Sequence, residues 1–211
     1  MQQEFSLEMA LPSQEQLSQE YRVSRPVIRE AIRTLEGQEL VQSNQGKITQ
    51  IVRPHPRTLE RFFTLLLHED QNTWMDLINV RRVLEVECAR TAARNSNTED
   101  IGRLEEVLHT MDSSRLDHSR YNALDIQFHV TIAEMSKNYF LLHLIESTRG
   151  SLMRIITDLR IELPQTSYDV IQDNHQKIFT AIQRGDEEEA ASSMLNHFRE
   201  VMERLTARMP Q

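Results

Sequence analysis

The stretch from residue 11 to residue 41 constrains the fold of this chain most, because it reads as two short helices and a tight turn. Its sequence is LPSQEQLSQEYRVSRPVIREAIRTLEGQELV. Ser13, with Gln16 three positions later, predicts a capping box at the start of the first helix. Ser24 predicts the cap of the second helix, where Pro26 fits the first turn because a missing N–H costs little there. The stretch therefore predicts a helix–turn–helix.

Each of these helices is expected to have one buried face. In the first helix, Leu17 and Tyr21 form the apolar stripe. In the second helix, apolar residues at a spacing of four predict the buried face, which comprises Val27, Ala31 and Leu35, with Ile28 and Ile32 beside them. Three arginines recur at the same spacing on another face, namely Arg25, Arg29 and Arg33. Such a helix suits a groove of negative charge.

Two short strands are predicted directly after the second helix. Residues 40–43 and 48–52 have strand-forming sequences, and Asn44-Gln45-Gly46-Lys47 between them is a turn signal. A helix–turn–helix followed by a hairpin is a winged helix, in which the second helix enters the major groove and the hairpin tip reaches the backbone or minor groove. Arginines on an arbitrary helix usually face water, but this context favours contact with DNA.

Residues 11–52 resemble the DNA-binding domain of the GntR family of bacterial transcription regulators, most specifically over VSRPVIREAIRTLE. The resemblance implies contact with bases and phosphates by Arg25 and Arg29. It also implies supporting contacts from Ser13, Ser24, Gln45, Gly46 and Lys47. An arginine fork donates two parallel hydrogen bonds to guanine, and each good pair contributes roughly 1–3 kcal/mol of discrimination. Serine and backbone N–H groups at helix starts suit phosphate.

The sequence departs from this family at two places. Glu15 stands where many relatives carry an arginine that contacts DNA, so the operator or the docking angle is expected to differ. Only MQQEFSLEMA precedes the LPS motif, whereas relatives have a further helix there. Two interpretations are open: the chain is an amino-terminally shortened form, which we favour, or the domain lacks its first helix.

Composition predicts a mostly helical protein. The 211 residues suit one large or two modest domains, with only five glycines and six prolines. The net charge is −8, which is unusual for a DNA-binding protein, so we expect local contacts from one helix and the wing rather than a broad basic surface. No signal peptide or membrane span is evident, and the single cysteine, Cys88, is expected to be a helix-packing residue. A cytoplasmic location is expected.

The segment Arg53-Pro54-His55-Pro56 predicts a stiff linker, because two prolines disfavour both helix and sheet. We expect a winged helix-turn-helix domain over residues 1–52, a linker over 53–57 and a helical domain over 58–208. The fold class is mostly α, and the second domain is predicted to be an all-helical bundle of six to seven helices. Helices are predicted at roughly 57–69, 73–95, 98–111, 118–136, 138–161, 167–184 and 186–207.

Four side chains of the helical domain form a candidate metal set. Asp125 and His129 are four residues apart, so they share one helix face, and His175 and His197 each lie inside a later helix. Taken singly, each histidine fits a packed or surface role better than a ligand role, and polar pairs at this spacing are common. The other histidines show no comparable pattern; they are His55, His68, His109, His118 and His143.

Residues 74–206 resemble the FCD ligand-binding domain of the FadR-type subfamily, over INVRRVLEVECARTAARN, LDIQFHVTIAEMSKN and NHQKIFTAIQRGDEEEAASSMLNH. The resemblance implies a divalent metal held by Asp125, His129, His175 and His197. Three imidazoles and a carboxylate suit Zn²⁺ or Ni²⁺, with Mn²⁺ as an alternative. Such a set leaves up to two octahedral positions open for the carboxylate and hydroxyl groups of an acid.

The resemblance further implies that Arg81 faces the effector. Pairing of Arg81 with Glu85, one turn further on, is an equally good interpretation, and both can hold. Three other arginines remain alternatives for the effector, namely Arg82, Arg149 and Arg154.

The hypothesis from the sequence is a homodimeric transcription regulator, a repressor by analogy with its relatives, and not an enzyme. It would bind a pseudo-palindromic double-stranded DNA operator and respond to a small organic or sugar acid, with no membrane contact. One alternative is a metal-dependent hydrolase-like enzyme, which would leave the arginine-bearing helix unexplained. The other is a regulator whose metal is purely structural.

Overall fold

The chain divides into two compact units, Met1–His55 and Pro56–Gln211. The computed structural model describes residues 9–43, 49–52, 57–69, 73–158 and 165–206. The linker residues 53–56, the wing residues Gln45, Gly46 and Lys47, and the residues before Met9 lie outside the described part, so the predictions made for them stay predictions.

The first unit is a helix–turn–helix followed by a two-stranded sheet. Its elements are α1 (Gln14–Tyr21), α2 (Arg25–Gly37), β1 (Val41–Gln42) and β2 (Gln50–Ile51). The strands are antiparallel, with Val41 opposite Ile51. Ala10 forms an antiparallel bridge with Gln50, so the segment that leads into α1 also borders the sheet. The predicted winged helix-turn-helix is confirmed.

The predicted helix starts of this unit are largely as observed. Ser13 and Gln16 form the capping box, with the Ser13 amide donating to Gln16 Oε1 at 2.8 Å and the Gln16 amide donating to Ser13 Oγ at 3.2 Å. Pro26 lies in the first turn of α2. Ser24 occupies the N-cap of α2, but its side chain makes no capping hydrogen bond. The predicted side-chain cap at Ser24 is therefore not observed.

The predicted buried faces of α1 and α2 are partly wrong. The described core of the unit comprises Leu17, Ile28, Ile32 and Val41, with Leu11, Leu35 and Ile51 packed against it. Tyr21 and Val27 are more than half exposed, and Ala31 is also exposed. So small a core contacts α2 along a narrow strip. Ile28, Ile32 and Leu35, at spacings of four and three, fill that strip. Val27 and Ala31, which form the neighbouring row, remain exposed to solvent.

The second unit consists of helices in all of its described parts. They are α3 (Arg57–Glu69), α4 (Thr73–Asn95), α5 (Thr98–Ser113), α6 (His118–Met135), α7 (Tyr139–Ser147), α8 (Arg149–Asp158), α9 (Gln165–Gln183) and α10 (Glu187–Thr206). The α4 helix packs against α6, α9 and α10, so its small buried residues Cys88, Ala89 and Ala92 lie at the centre of the bundle. No helix in the described ranges is both long and apolar enough to cross a bilayer.

The helix boundaries follow from local capping residues. Asn97 and Asp100 form a capping box at the start of α5, and Asn138 caps α7 by accepting from two backbone amides. Gly185 has a φ of 69°, a left-handed conformation that favours glycine after a helix. The Asp186 side chain then accepts from the Glu189 amide at 3.1 Å and caps α10.

One predicted helix is in fact two helices. The segment predicted as a single helix over 138–161 breaks at Thr148, so eight helices are described here instead of six to seven. The Thr148 amide bonds to the Ile145 carbonyl at 3.2 Å in a tightened last turn. Its hydroxyl donates to the same carbonyl at 2.7 Å and accepts from Arg81 Nη1 at 3.1 Å. A contact from α4 therefore stabilises this break.

Candidate metal centre and DNA-binding surface

Three buried histidines from three helices converge inside the second unit. His129 comes from α6, His175 from α9 and His197 from α10, and each is at most 4% exposed. One potential ligand atom from each lies within 4.8 Å of the others. The ring centroids of His175 and His197 are 4.6 Å apart. Packing of α6, α9 and α10 around α4 thus gathers imidazoles that are far apart in sequence.

Asp125 supplies a carboxylate at the edge of this cluster. Its Oδ1 lies 3.2 Å from Nε2 of His175, and its side chain is 20% exposed. Two atoms that each bind one ion at about 2.1 Å are separated by about 3.0 Å in octahedral geometry and about 3.4 Å in tetrahedral geometry. The observed separation fits two neighbouring ligands of one ion, and the part-exposed carboxylate marks the side of the cluster that solvent reaches.

Several imidazole nitrogens of the cluster are buried without hydrogen bonds. Nδ1 of His175 and Nδ1 of His197 have no hydrogen-bond partner among the residues that the structure describes. A buried polar atom left unpaired costs about 1–3 kcal/mol, and such atoms are rare in native proteins. A cation bound by imidazole lone pairs would offset this cost, so the residues fit a divalent metal ion.

The electrostatics of His175, His197 and Asp125 favour the protonation states that bind metals. Burial lowers the pKa of His175 and of His197, and neighbouring imidazolium charges lower the pKa of His197 further. Burial would raise the pKa of Asp125, but its contact with His175 and the field of the other imidazoles outweigh this effect and lower that pKa. Neutral imidazoles beside an ionised carboxylate are the forms that a divalent ion requires.

Glu85 is a site residue whose role the sequence did not reveal. This fully buried carboxylate on α4 contacts Nδ1 of His129 through Oε2. Burial would lower the pKa of His129, but the charge of Glu85 outweighs burial and raises it. A carboxylate on one imidazole nitrogen fixes the ring orientation and leaves Nε2 as the ligand atom. The sequence paired Glu85 only with Arg81, because contact between α4 and α6 has no local signal.

Arg81 contacts the other carboxylate oxygen of Glu85, Oε1. The guanidinium is 1% exposed, and its Nε and Nη2 each lie 2.7 Å from Oε1 of Glu85. The third contact is the bond from Nη1 to Thr148. The interpretation that Arg81 pairs with Glu85 therefore agrees with the structure, and a role toward an effector stays a prediction.

The remaining candidate side chains do not join the cluster. Arg149 and His109 are exposed and Arg82 is half-buried. His118 stacks on Tyr168 with ring centroids 4.4 Å apart. Cys88 is fully buried and burial raises the pKa of its thiol, as expected for a packing residue. The side chains of Arg154 and His68, and all of His55, lie outside the described part.

The α2 helix presents its three arginines to solvent. Arg25, Arg29 and Arg33 are all exposed, on a helix whose neighbouring strip contributes Ile28 and Ile32 to the core. This is the arrangement that a helix in the major groove requires, with guanidinium forks outward and an anchored apolar face.

Two family models match the chain. The model described as "FCD domain" matches residues 76–200, and the model described as "Bacterial regulatory proteins, gntR family" matches residues 1–51. The chain belongs to the GntR family, in the branch with an FCD domain. This GntR-family protein is a DNA-binding transcription regulator, as its relatives are.

Curated relatives match this regulator over most of their length. The HTH-type transcriptional regulator LutR of Bacillus subtilis is 27% identical over 194 residues, which are 90% of this chain and 89% of LutR. A putative L-lactate dehydrogenase operon regulatory protein of Escherichia coli is 26% identical over 195 residues, 90% of this chain and 75% of that protein.

A solved structure shares the fold of this regulator. It is a GntR protein of Streptococcus agalactiae, with a TM-score of 0.78 and 22% sequence identity. The match covers 96% of this chain and 92% of that chain. At this identity the likeness concerns the fold alone.

Proposed function

We propose that this regulator is a metal-containing homodimer, a repressor, whose operator affinity responds to a small hydroxy acid or sugar acid. The observation that carries the proposal is the convergence of three buried imidazoles, with unpaired nitrogens, beside a part-exposed carboxylate. An exposed arginine row in the other unit supports the DNA-binding half of the proposal.

In the DNA-binding unit, α2 would lie in the major groove. Arg25 and Arg29 would contact guanine edges, while Ser13 and Ser24 would contact phosphates near the helix starts. The wing residues Gln45, Gly46 and Lys47 would contact the backbone or the minor groove. A homodimer would then read a pseudo-palindromic operator, with one α2 helix in each half-site.

In the second unit, a divalent ion would be held by Asp125, His129, His175 and His197. Zn²⁺ or Ni²⁺ suits this ligand set best, and Mn²⁺ is an alternative. When bound, the ion would act as a Lewis acid that accepts electron pairs from carboxylate and hydroxyl oxygens. Glu85 would hold His129 in its ligand orientation, and Arg81 would hold Glu85 and lie close to the effector.

The charges of the site favour an anionic effector. Three neutral imidazoles, one carboxylate and a divalent ion sum to one positive charge, while Arg81 and Glu85 balance each other. A buried net charge is costly unless it is paired, and one carboxylate of an acid would neutralise it. The name of the Escherichia coli relative refers to the operon of an enzyme for L-lactate, which is a hydroxy acid of this kind.

Thermal unfolding with a panel of acids tests this proposal. The metal content of purified protein is determined by elemental analysis, and melting temperatures are recorded with and without chelator. We expect at least one hydroxy or sugar acid to raise the melting temperature of metal-loaded protein, and to have no effect after metal removal. Failure of every acid, with a chelator that still lowers the melting temperature, would indicate a purely structural metal.

The matched variants are His197→Ala and His109→Ala. His197→Ala removes a buried ligand and should abolish stoichiometric metal, whereas His109→Ala changes an exposed histidine and should retain it. Retained metal in His197→Ala would show that the ligand set is wrong. Turnover of an acid by the metal-loaded protein would favour an enzyme instead.

A further inference from the structure

The first arginine of α2 contacts a carboxylate that belongs to α1. Nη2 of Arg25 contacts Oε2 of Glu15. Glu15 lies in the first turn of α1, between the two partners of its capping box, and Arg25 is the first residue of α2, directly before Pro26. The backbone at both ends of the contact is therefore well fixed, and the ion pair joins the two helices of the helix–turn–helix.

The three arginines of α2 have different electrostatic surroundings. Arg25 contacts Glu15, and Nη1 of Arg33 lies 3.8 Å from Oε2 of Glu30. Arg29 has no ion pair within the described ranges of the chain. The segment up to Pro56 contains six lysines and arginines against seven acidic residues. This unit therefore has little net charge with which to attract DNA of arbitrary sequence.

We infer that Glu15 is a specificity-determining residue that weakens the attraction of Arg25 for phosphate and orients its guanidinium toward a base. This inference rests on the proposed role of α2 in the major groove. Non-specific affinity comes almost entirely from cations that neutralise phosphates and release counterions. Glu15 repels a phosphate that approaches Arg25, so this arginine contributes little to that affinity.

A base edge is affected differently from a phosphate. Guanine presents two acceptor atoms and no net charge, so the carboxylate does not repel it as it repels phosphate. A guanidinium has five N–H donors, and Nη2 can stay with Glu15 while other donors reach the base. Both side chains are more than half exposed, so the pair is weak and can adjust as the operator docks.

Binding of a labelled duplex of random sequence, measured by fluorescence anisotropy over a series of salt concentrations, tests the inference. Glu15→Gln removes the charge and keeps the shape of the side chain. We expect this variant to bind the random duplex several-fold more tightly than the unmodified protein at about 0.1 M salt. The slope of log affinity against log salt should steepen by about 0.9 for each protomer, as for one added phosphate contact.

The matched control is Glu20→Gln. It changes the net charge equally in the same helix, and Glu20 is exposed and has no ion pair in the described segments. In an Arg25→Ala background, Glu15→Gln should have no more effect than Glu20→Gln, because the partner is gone. Equal affinities and slopes for Glu15→Gln and Glu20→Gln in the otherwise unmodified protein would overturn the inference.

The role of α2 itself is tested separately. A duplex is selected from a random library by the unmodified protein, and its affinity for Arg25→Ala is measured. Weaker binding would support the contact of Arg25 with DNA. In that case, equal affinities and slopes for Glu15→Gln and Glu20→Gln would overturn only the role of Glu15. Unchanged binding would overturn the role of Arg25 and the inference with it.

Discussion

At the scale of single residues, Glu85 contacts both a guanidinium and an imidazole. One carboxylate oxygen faces the guanidinium of Arg81, and the other contacts His129. Burial would raise the pKa of Glu85, but the charges of Arg81 and His129 outweigh burial and lower it. Glu85 is therefore ionised and fixed from both sides. A buried carboxylate in this position is expected to orient a ligand rather than to bind the ion itself.

The variant Glu85→Gln tests this assignment. We expect metal affinity to fall about 10- to 100-fold, the usual effect of losing such a supporting group. Competition with a chromogenic chelator measures the change, and melting of the metal-free variant reports any loss of stability separately. Glu87→Gln is the control, because Glu87 lies on the same helix with its side chain 53% exposed. Unchanged metal affinity in Glu85→Gln would contradict the assignment.

Arg29 permits a second test at this scale, since it is the member of the α2 row without an ion pair in the described part of the chain. Arg29→Ala should weaken binding to a selected duplex by about 1–3 kcal/mol at each half-site, because a bidentate base contact is lost. Arg29→Lys should retain binding to random duplexes but lose sequence preference, because an ammonium group lacks the planar fork. Gel-shift titrations with the selected and the random duplex measure the affinity and the sequence preference of each variant. Equal sequence preference in Arg29→Lys and unmodified protein would refute base contact.

At the scale of elements, the sequence predicted those helices whose ends carry local signals. Asn97, Asn138 and Gly185 mark boundaries that the structure retains. The break at Thr148 was not predicted, although Ser147, Thr148 and Gly150 together are a weak turn signal. At the break, the Thr148 hydroxyl accepts a hydrogen bond from Arg81, which belongs to another helix. Local capping is readable from sequence, whereas a boundary that depends on a tertiary contact is not.

The start of α5 supports a prediction about stability. Asp100 is 4% exposed and accepts from Lys137 Nζ at 2.7 Å, Arg103 Nη2 at 2.8 Å and the Asn97 amide at 3.3 Å. Burial would raise the pKa of Asp100, but these hydrogen bonds outweigh burial and lower it. The carboxylate is thus held in its ionised form at neutral pH.

Asp100→Asn should reduce the free energy of unfolding by about 1–3 kcal/mol at pH 7, because charged hydrogen bonds are lost. A folded pKa below the unfolded value gives stability that is present at neutral pH and is lost as the pH falls. The difference between Asp100→Asn and the unmodified protein should therefore shrink below about pH 4. Urea titrations at several pH values measure this difference in the free energy of unfolding. The control is Glu99→Gln, because Glu99 is exposed. A difference that stays constant down to pH 3 would exclude this explanation.

At the scale of the whole molecule, the two units differ in how much of their structure could be predicted from the sequence. The helix–turn–helix is a local motif that runs from residue 14 to residue 37, so its caps, turn and arginine row could be predicted directly. The candidate metal centre draws His129, His175 and His197 from three helices. Their convergence depends on how α6, α9 and α10 pack around α4, which no local pattern specifies. The ligand set could therefore be proposed only from family resemblance.

The central claim concerns both units, namely that an acid bound at the metal centre controls the affinity for DNA. The most direct test is the operator affinity of one preparation, measured with and without metal and with and without the acid that stabilises it most. We predict that the acid changes operator affinity by about 1–3 kcal/mol in metal-loaded protein and has no effect once the metal is removed. An acid effect that persists after metal removal, or in His197→Ala, would contradict the account.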